Sequence, residues 1–145
     1  MDGGNSADTC SAMGETQGQV LVVDDEESNR TFVTRVLTSE GYAVATAADG
    51  HEALRLLEQH GAFDLYLLDV VMPQMHGDEL ARRIRQGNPD AKILYFTGYA
   101  DRLFESRGVL WEHEAFIEKP VTVKGLLEAV SLILTGRIER MRLTG

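Results

Sequence analysis

The chain reads as an α/β protein built on a doubly wound, five-stranded parallel sheet. From Gln19 onward, short apolar runs alternate with amphipathic stretches, the order that repeated βα units produce. Five runs are strand-sized: "VLVVD" (Val20 to Asp24), "YAVATA" (Tyr42 to Ala47), "FDLYLLD" (Phe63 to Asp69), "KILYFT" (Lys92 to Thr97) and "AFIEK" (Ala115 to Lys119). Four of the five end on a charged or hydroxyl-bearing residue, and 145 residues with 43% hydrophobic content suit one domain around a single core.

Between the first two runs, Phe32, Val33, Val36 and Leu37 mark one helical face, and Gly41 stands where a C-terminal cap belongs. The second helix opens at "DGHE": Asp49 caps the backbone, Glu52 reaches back, and Ala53, Leu54 and Leu57 line the inner face up to Gly61. In the third, Leu80, Ala81 and Ile84 point inward and Arg82, Arg83 and Arg85 point to solvent, with Asn88 and Pro89 as the stop. A fourth is expected after Tyr99 in "ADRLFESRGVLWEHE", where Gly108 interrupts the period. The fifth runs from Thr122 with Leu126, Leu127, Val130, Ile133 and Leu134 on one face and ends at Gly136.

A net charge of −9 argues against a broad grip on nucleic acid or an anionic membrane, because both require excess Lys and Arg. The single cysteine, Cys10, allows no intrachain disulfide, which agrees with a reducing cytoplasm. No segment approaches the ~18 apolar residues of a membrane span, and the first residues lack the basic start and apolar run of a signal peptide. Residues 1–18 are too polar to offset their ordering entropy and are expected to form a flexible tail. The domain is expected over residues 19–136, with 137–145 as a helix extension or second tail and no output domain.

In a parallel sheet the polar residues at strand carboxyl ends gather at the crevice where strand order reverses. Asp24 and Asp25 end the first run and Asp69 the third. If those strands are neighbours, three carboxylates meet within a few ångströms and need a cation among them. Carboxylates without His or Cys suit a hard ion, and few protein ligands suit Mg²⁺ better than Ca²⁺, with Mn²⁺ as a substitute. Thr97 and Lys119 end the fourth and fifth runs at the same edge. Carboxylates, a divalent ion, a hydroxyl and an ammonium together suit a phosphoryl group, with Asp69, alone at its strand end, as nucleophile.

The acidic pair after the first strand, "D" followed by "VVMPQMHG" after the third, "T-G" after the fourth and "KP" after the fifth occur in one order. By these residues the stretch from Val20 to Leu134 resembles a response regulator receiver domain of two-component signalling. The resemblance implies a flavodoxin-like (βα)5 fold with strand order 2-1-3-4-5, and a phosphoryl group taken by Asp69 from a histidine kinase or phosphotransfer protein. It implies Mg²⁺ bound by Asp25, Asp69 and the Val71 backbone carbonyl, with Asp24 acting largely through water. Thr97 and Lys119 would bind phosphoryl oxygens, the Lys119 to Pro120 bond would be cis, and Phe116 would be the aromatic switch. Phosphorylation would then draw in Thr97, turn Phe116 and reshape the face of the fourth helix, fifth strand and fifth helix, which an unknown downstream protein reads. Such a module is not an enzyme; it is a monomer or a phosphorylation-dependent homodimer. The stretch "GYADRLFESRGVLW" looks most like receivers attached to hybrid histidine kinases.

Three positions depart from the commonest pattern of that family: His76, Val71 and Val121. Duller readings stand beside the functional ones: Asp24 and Asp25 as helix caps, Thr97 as a strand end, Lys119 as a solvated charge, Phe116 and Trp111 as core aromatics. His51, His60, His76 and His113 lack ligand spacing and are read as surface residues. Two competing functions remain. A haloacid dehalogenase-like phosphatase needs a second Asp where Val71 stands, and a phosphate-independent scaffold has no use for the full acidic and lysine set.

Overall fold

The computed structural model describes residues 18–97 and 114–135. Its elements are β1 (Gly18–Val23), α1 (Glu27–Ser39), β2 (Tyr42–Ala47), α2 (Gly50–His60), β3 (Leu65–Leu68), α3 (Gly77–Gly87), β4 (Ile93–Thr97), β5 (Glu114–Glu118) and α4 (Val123–Thr135). The five strands form one parallel sheet in the order β2-β1-β3-β4-β5. This is the expected strand order, and it makes β1 and β3 neighbours. The helix expected after Tyr99, with Trp111 and His113, lies outside the described residues, as do the expected tails apart from Gly18, which opens β1.

Strand side chains alternate between two apolar layers because successive Cβ atoms point to opposite sheet faces. Leu21, Val23, Tyr66, Leu68, Ile93 and Tyr95 face one layer, closed by Ala53 of α2 and Leu80, Ala81 and Ile84 of α3. Val20, Val22, Leu65, Leu67, Leu94 and Phe96 face the other, closed by Val33, Val36 and Leu37 of α1 and Leu126, Val130 and Ile133 of α4. Central strands buried on both sides explain their near-continuous apolar sequence.

Helix ends follow local chemistry. Asp49 accepts the Glu52 N–H at 2.8 Å, while the Glu52 carboxylate takes the Ala48 N–H at 2.8 Å, one residue earlier than the usual reciprocal cap. Thr122 Oγ1 accepts the Gly125 N–H at 2.9 Å and starts α4. After α1 and α2 the chain reverses at Gly41 (φ 96°) and Gly61 (φ 94°), in the left-handed region where a Cβ is strained.

Two expectations about α3 and β5 need correction. Arg85 does not point to solvent: its side chain is 14% exposed and lies 3.8 Å from the Glu114 carboxylate, with further bonds to the carbonyls of Pro89 and Ala91. The cause is its place in α3's last turn, from which the long stem lies along protein to the loop before β4 and to Glu114 of β5. Glu114, expected to end the helical stretch before the fifth strand, instead opens β5, buried beside the Tyr95 hydroxyl at 3.2 Å.

Candidate functional site

The strand ladders run one residue past β1 and β3 and so place the acidic residues. The Asp24 N–H donates to the Ala47 carbonyl at 3.2 Å, and the Asp69 N–H to the Val23 carbonyl at 2.9 Å. Both side chains therefore emerge from adjacent strand ends. With Asp25 they form a cluster whose carboxylate oxygens all lie within 4.8 Å of one another. Asp24 is 1% exposed and Asp69 5%, whereas Asp25 opens to solvent.

Asp24 serves two ends at once. Its Oδ1 accepts the Glu26 N–H at 2.9 Å, turning the chain into α1, and Oδ2 faces Lys119 Nζ at 3.2 Å. This bond shapes the turn ahead of α1 without capping the helix, whose N-cap Glu26 has no side-chain cap bond, so the reading of Asp24 and Asp25 as helix caps is not met. The Arg30 guanidinium donates to the Asp24 carbonyl at 2.7 Å and braces the same turn from α1.

Lys119 follows β5 and reaches over the ends of the strands: its Nζ lies 3.2 Å from Asp24 and 3.5 Å from Asp69, and 5.0 Å from the centroid of the Phe96 ring. The Lys119–Pro120 peptide is cis. Thr97 ends β4, in register with Glu118 beside Lys119; its side chain and Tyr99 lie outside the described residues. Phe116 is half-buried against the layer under α2 and α3, in register with Tyr95.

The electrostatics are those of crowded like charges. Burial, then the charge of Asp24, pushes the Asp69 carboxyl up to about 7; Lys119 pulls it down, and Asp25 pushes it further up. Among the described residues, three carboxylates stand against one ammonium, a deficit of positive charge at a crevice where Asp24 and Asp69 are buried. An all-oxygen donor set with that deficit fits one hard divalent ion.

The segment from Asp69 to α3 is tightly folded. The Gly77 N–H donates to the Val70 carbonyl at 2.8 Å, and a Cβ on Gly77 would run into the Asp69 carbonyl oxygen. Met75 is buried over Gly50 at the start of α2. His76 is half-buried, not a surface residue, with Nδ1 3.2 Å from the Met72 amide.

A family model for the response regulator receiver domain matches residues 20–131. The chain belongs to the response regulator receiver family. It is 39% identical over 116 residues to the sensor kinase CckA of Brucella abortus, covering 79% of this chain and 12% of that protein. The response regulator receiver protein CpdR of the same species is 31% identical over 116 residues, covering 80% of this chain and 96% of CpdR. The chain thus spans a small part of the first relative and nearly all of the second. Among solved structures, the receiver domain of the hybrid histidine kinase CckA superposes with a TM-score of 0.69 at 34% identity, covering 81% of this chain and 99% of that one. The response regulator TrrA of Thermotoga maritima, solved with Mg(2+)-BeF, gives 0.70 at 36% identity, covering 79% and 97%.

Sequence reasoning missed two features of this receiver domain. The group of half-buried Arg85 with buried Glu114 and Tyr95 joins α3 to β5 across β4. Its available signal was period two: Glu114, Phe116 and Glu118 share a face, which extends the strand back by one residue. The backward bond of His76 had no such signal, because it depends on how the loop turns.

Proposed function

We propose that this receiver domain is the phosphoacceptor of a two-component phosphorelay, taking a phosphoryl group on Asp69 from a histidine kinase or a histidine phosphotransfer protein. The observation that carries the reading is the joining of Asp24, Asp25 and Asp69 within 4.8 Å under the Lys119 ammonium. Asp25, Asp69 and the Val71 carbonyl would hold Mg²⁺ or Mn²⁺, with Asp24 acting through water. When bound, the ion neutralises phosphoryl oxygens and favours the ionised form of Asp69.

The Asp69 carboxylate attacks the phosphorus of a phosphohistidine, the P–N bond breaks, and its electron pair leaves on the imidazole, which takes a proton. Lys119 neutralises charge on the transferring group from the side opposite Asp25 in the strand order. Beside Lys119 a cavity of about 450 Å³ lined by Phe32, Phe96 and Val121 offers apolar ground for the donor. The Mg(2+)-BeF complex of TrrA supports the same ligand chemistry for this chain.

Thr97 and Phe116 form the switch in this reading, and the face around β5 and α4 passes the state to a downstream protein in the cytoplasm. The domain works as a signalling module without direct nucleic acid binding, as a monomer or a phosphorylation-dependent homodimer. No helix among the described residues is long and apolar enough to cross a membrane.

Intact mass after incubation with acetyl phosphate tests the reading. One phosphoryl adduct is expected, dependent on Mg²⁺ and absent from Asp69→Asn. An adduct that persists in that variant refutes Asp69 as the acceptor.

A further inference from the structure

His76 holds the N-cap position of α3, yet its side chain makes no hydrogen bond to that helix. The ring turns back instead, and Nδ1 accepts the Met72 N–H at 3.2 Å. An accepting Nδ1 leaves the ring proton on Nε2. The geometry is made possible by the loop itself: Gln74 sits at φ 71°, the Met75 N–H bonds to the Pro73 carbonyl at 2.7 Å, and the chain doubles back over Met72.

The Met72 amide belongs to the same peptide unit as the Val71 carbonyl. That unit is planar and trans, so its N–H and C=O point to opposite sides and cannot turn independently. Whatever grips the N–H sets the direction of the carbonyl. The other anchors act elsewhere: Gly77 holds the Val70 carbonyl, and Met75 packs on Gly50.

We propose that His76 is a positioning residue for the metal loop: by accepting the Met72 amide, it fixes the peptide plane whose other side presents the Val71 carbonyl to Mg²⁺. The inference rests on the ligand set proposed above. It also gives a physical sense to an imidazole at this position. The Oδ1 of Asn or Asp stands as many bonds from the backbone as Nδ1 of His, so all three side chains can offer an acceptor at one place. Donation by the Met72 N–H to Nδ1 also polarises the peptide and makes its carbonyl a stronger ligand.

The test separates acceptor from ring. His76→Phe keeps the ring without the acceptor, and His76→Asn keeps the acceptor without the ring. Two readouts are taken on the full chain: hydrogen exchange of the Met72 amide without metal, and Mg²⁺ affinity by titration. His76→Asn is expected to protect the Met72 amide and bind Mg²⁺ within about twofold of wild type. His76→Phe is expected to lose that protection and weaken Mg²⁺ by about tenfold, the usual effect of removing a group that orients a ligand. Wild-type affinity in His76→Phe overturns the proposal, as does an Asn variant as weak as the Phe variant, which assigns the effect to ring packing. If the wild type binds no Mg²⁺ while its Met72 amide is protected, the ligand set itself fails, and the positioning role falls with it.

Discussion

Asp69→Asn removes a carboxylate that the fold holds at a cost, so without divalent ions the variant is expected to be more stable than the wild type, and increasingly so as pH rises. The sign follows from linkage. With its folded carboxyl pushed up to about 7, Asp69 keeps a proton in the folded chain that the unfolded chain has already lost. Its contribution is complete below pH ~4, falls as pH rises, and levels off above about pH 7. Each pH unit in that window is worth at most about 1.4 kcal/mol. From pH 5.5 to 8 this gives an unscreened ceiling of about 2 kcal/mol; the crevice opens to water at Asp25, which brings the working figure to about 1 kcal/mol. For a domain of this size that is a Tm difference of roughly 4 °C. The assay is urea and thermal denaturation of both proteins at the two pH values with chelator present. Charged groups remote from the crevice occur in both proteins and cancel in the difference. Adding Mg²⁺ at pH 8 is expected to reverse the order, because binding to the folded state stabilises the wild type. Parallel stability profiles for the two proteins would refute the crowding of charge at this site.

Lys119→Met removes the one ammonium that faces both Asp24 and Asp69. It is expected to lower metal-free stability at pH 8 and to slow acetyl phosphate labelling at least tenfold while Mg²⁺ binding persists, read by mass and titration. Gly77→Ala drives a Cβ into the rigid Asp69 carbonyl and is expected to cost about 2–3 kcal/mol in urea unfolding. Gly50→Ala meets the Met75 sulfur at 2.6 Å, an atom on a flexible chain, and is expected to cost less, about 1 kcal/mol. Glu114→Ala removes the carboxylate 3.8 Å from the Arg85 guanidinium and is expected to cost about 2 kcal/mol, against about 1 kcal/mol for Tyr95→Phe. Equal costs for these last two would show that the pair with Arg85 adds nothing.

Most of the sheet and the first-order site could be read from the sequence because period and position carry them. β2 falls on the six residues expected, and the others within two residues at either end, since buried parallel strands must be apolar on both faces. The carboxylates were legible for a related reason: Asp24, Asp25 and Asp69 stand at strand ends, and strand ends of a parallel sheet converge. What stayed hidden depends on direction rather than spacing. Arg82, Arg83 and Arg85 are alike as letters, but only Arg85 leans back onto protein, because from the last turn of α3 it reaches the loop carbonyls before β4 and Glu114 of β5.

The same distinction explains why the acidic site and the residues that orient it differ in kind. Asp24 and Asp69 are fixed by ladder bonds that any sequence in these strands would make, since their own amides donate to Ala47 and Val23. The Val71–Met72 peptide has no ladder. It lies in the loop between β3 and α3, so its plane must be set by a side chain, and His76 supplies the acceptor. In the reading proposed above, the fold therefore holds the charges in place by backbone pairing and leaves the carbonyl ligand to a replaceable residue. Substitution at position 76 is accordingly expected to tune ion affinity with little effect on the sheet, while substitution at Asp24 disturbs the turn into α1 together with the site.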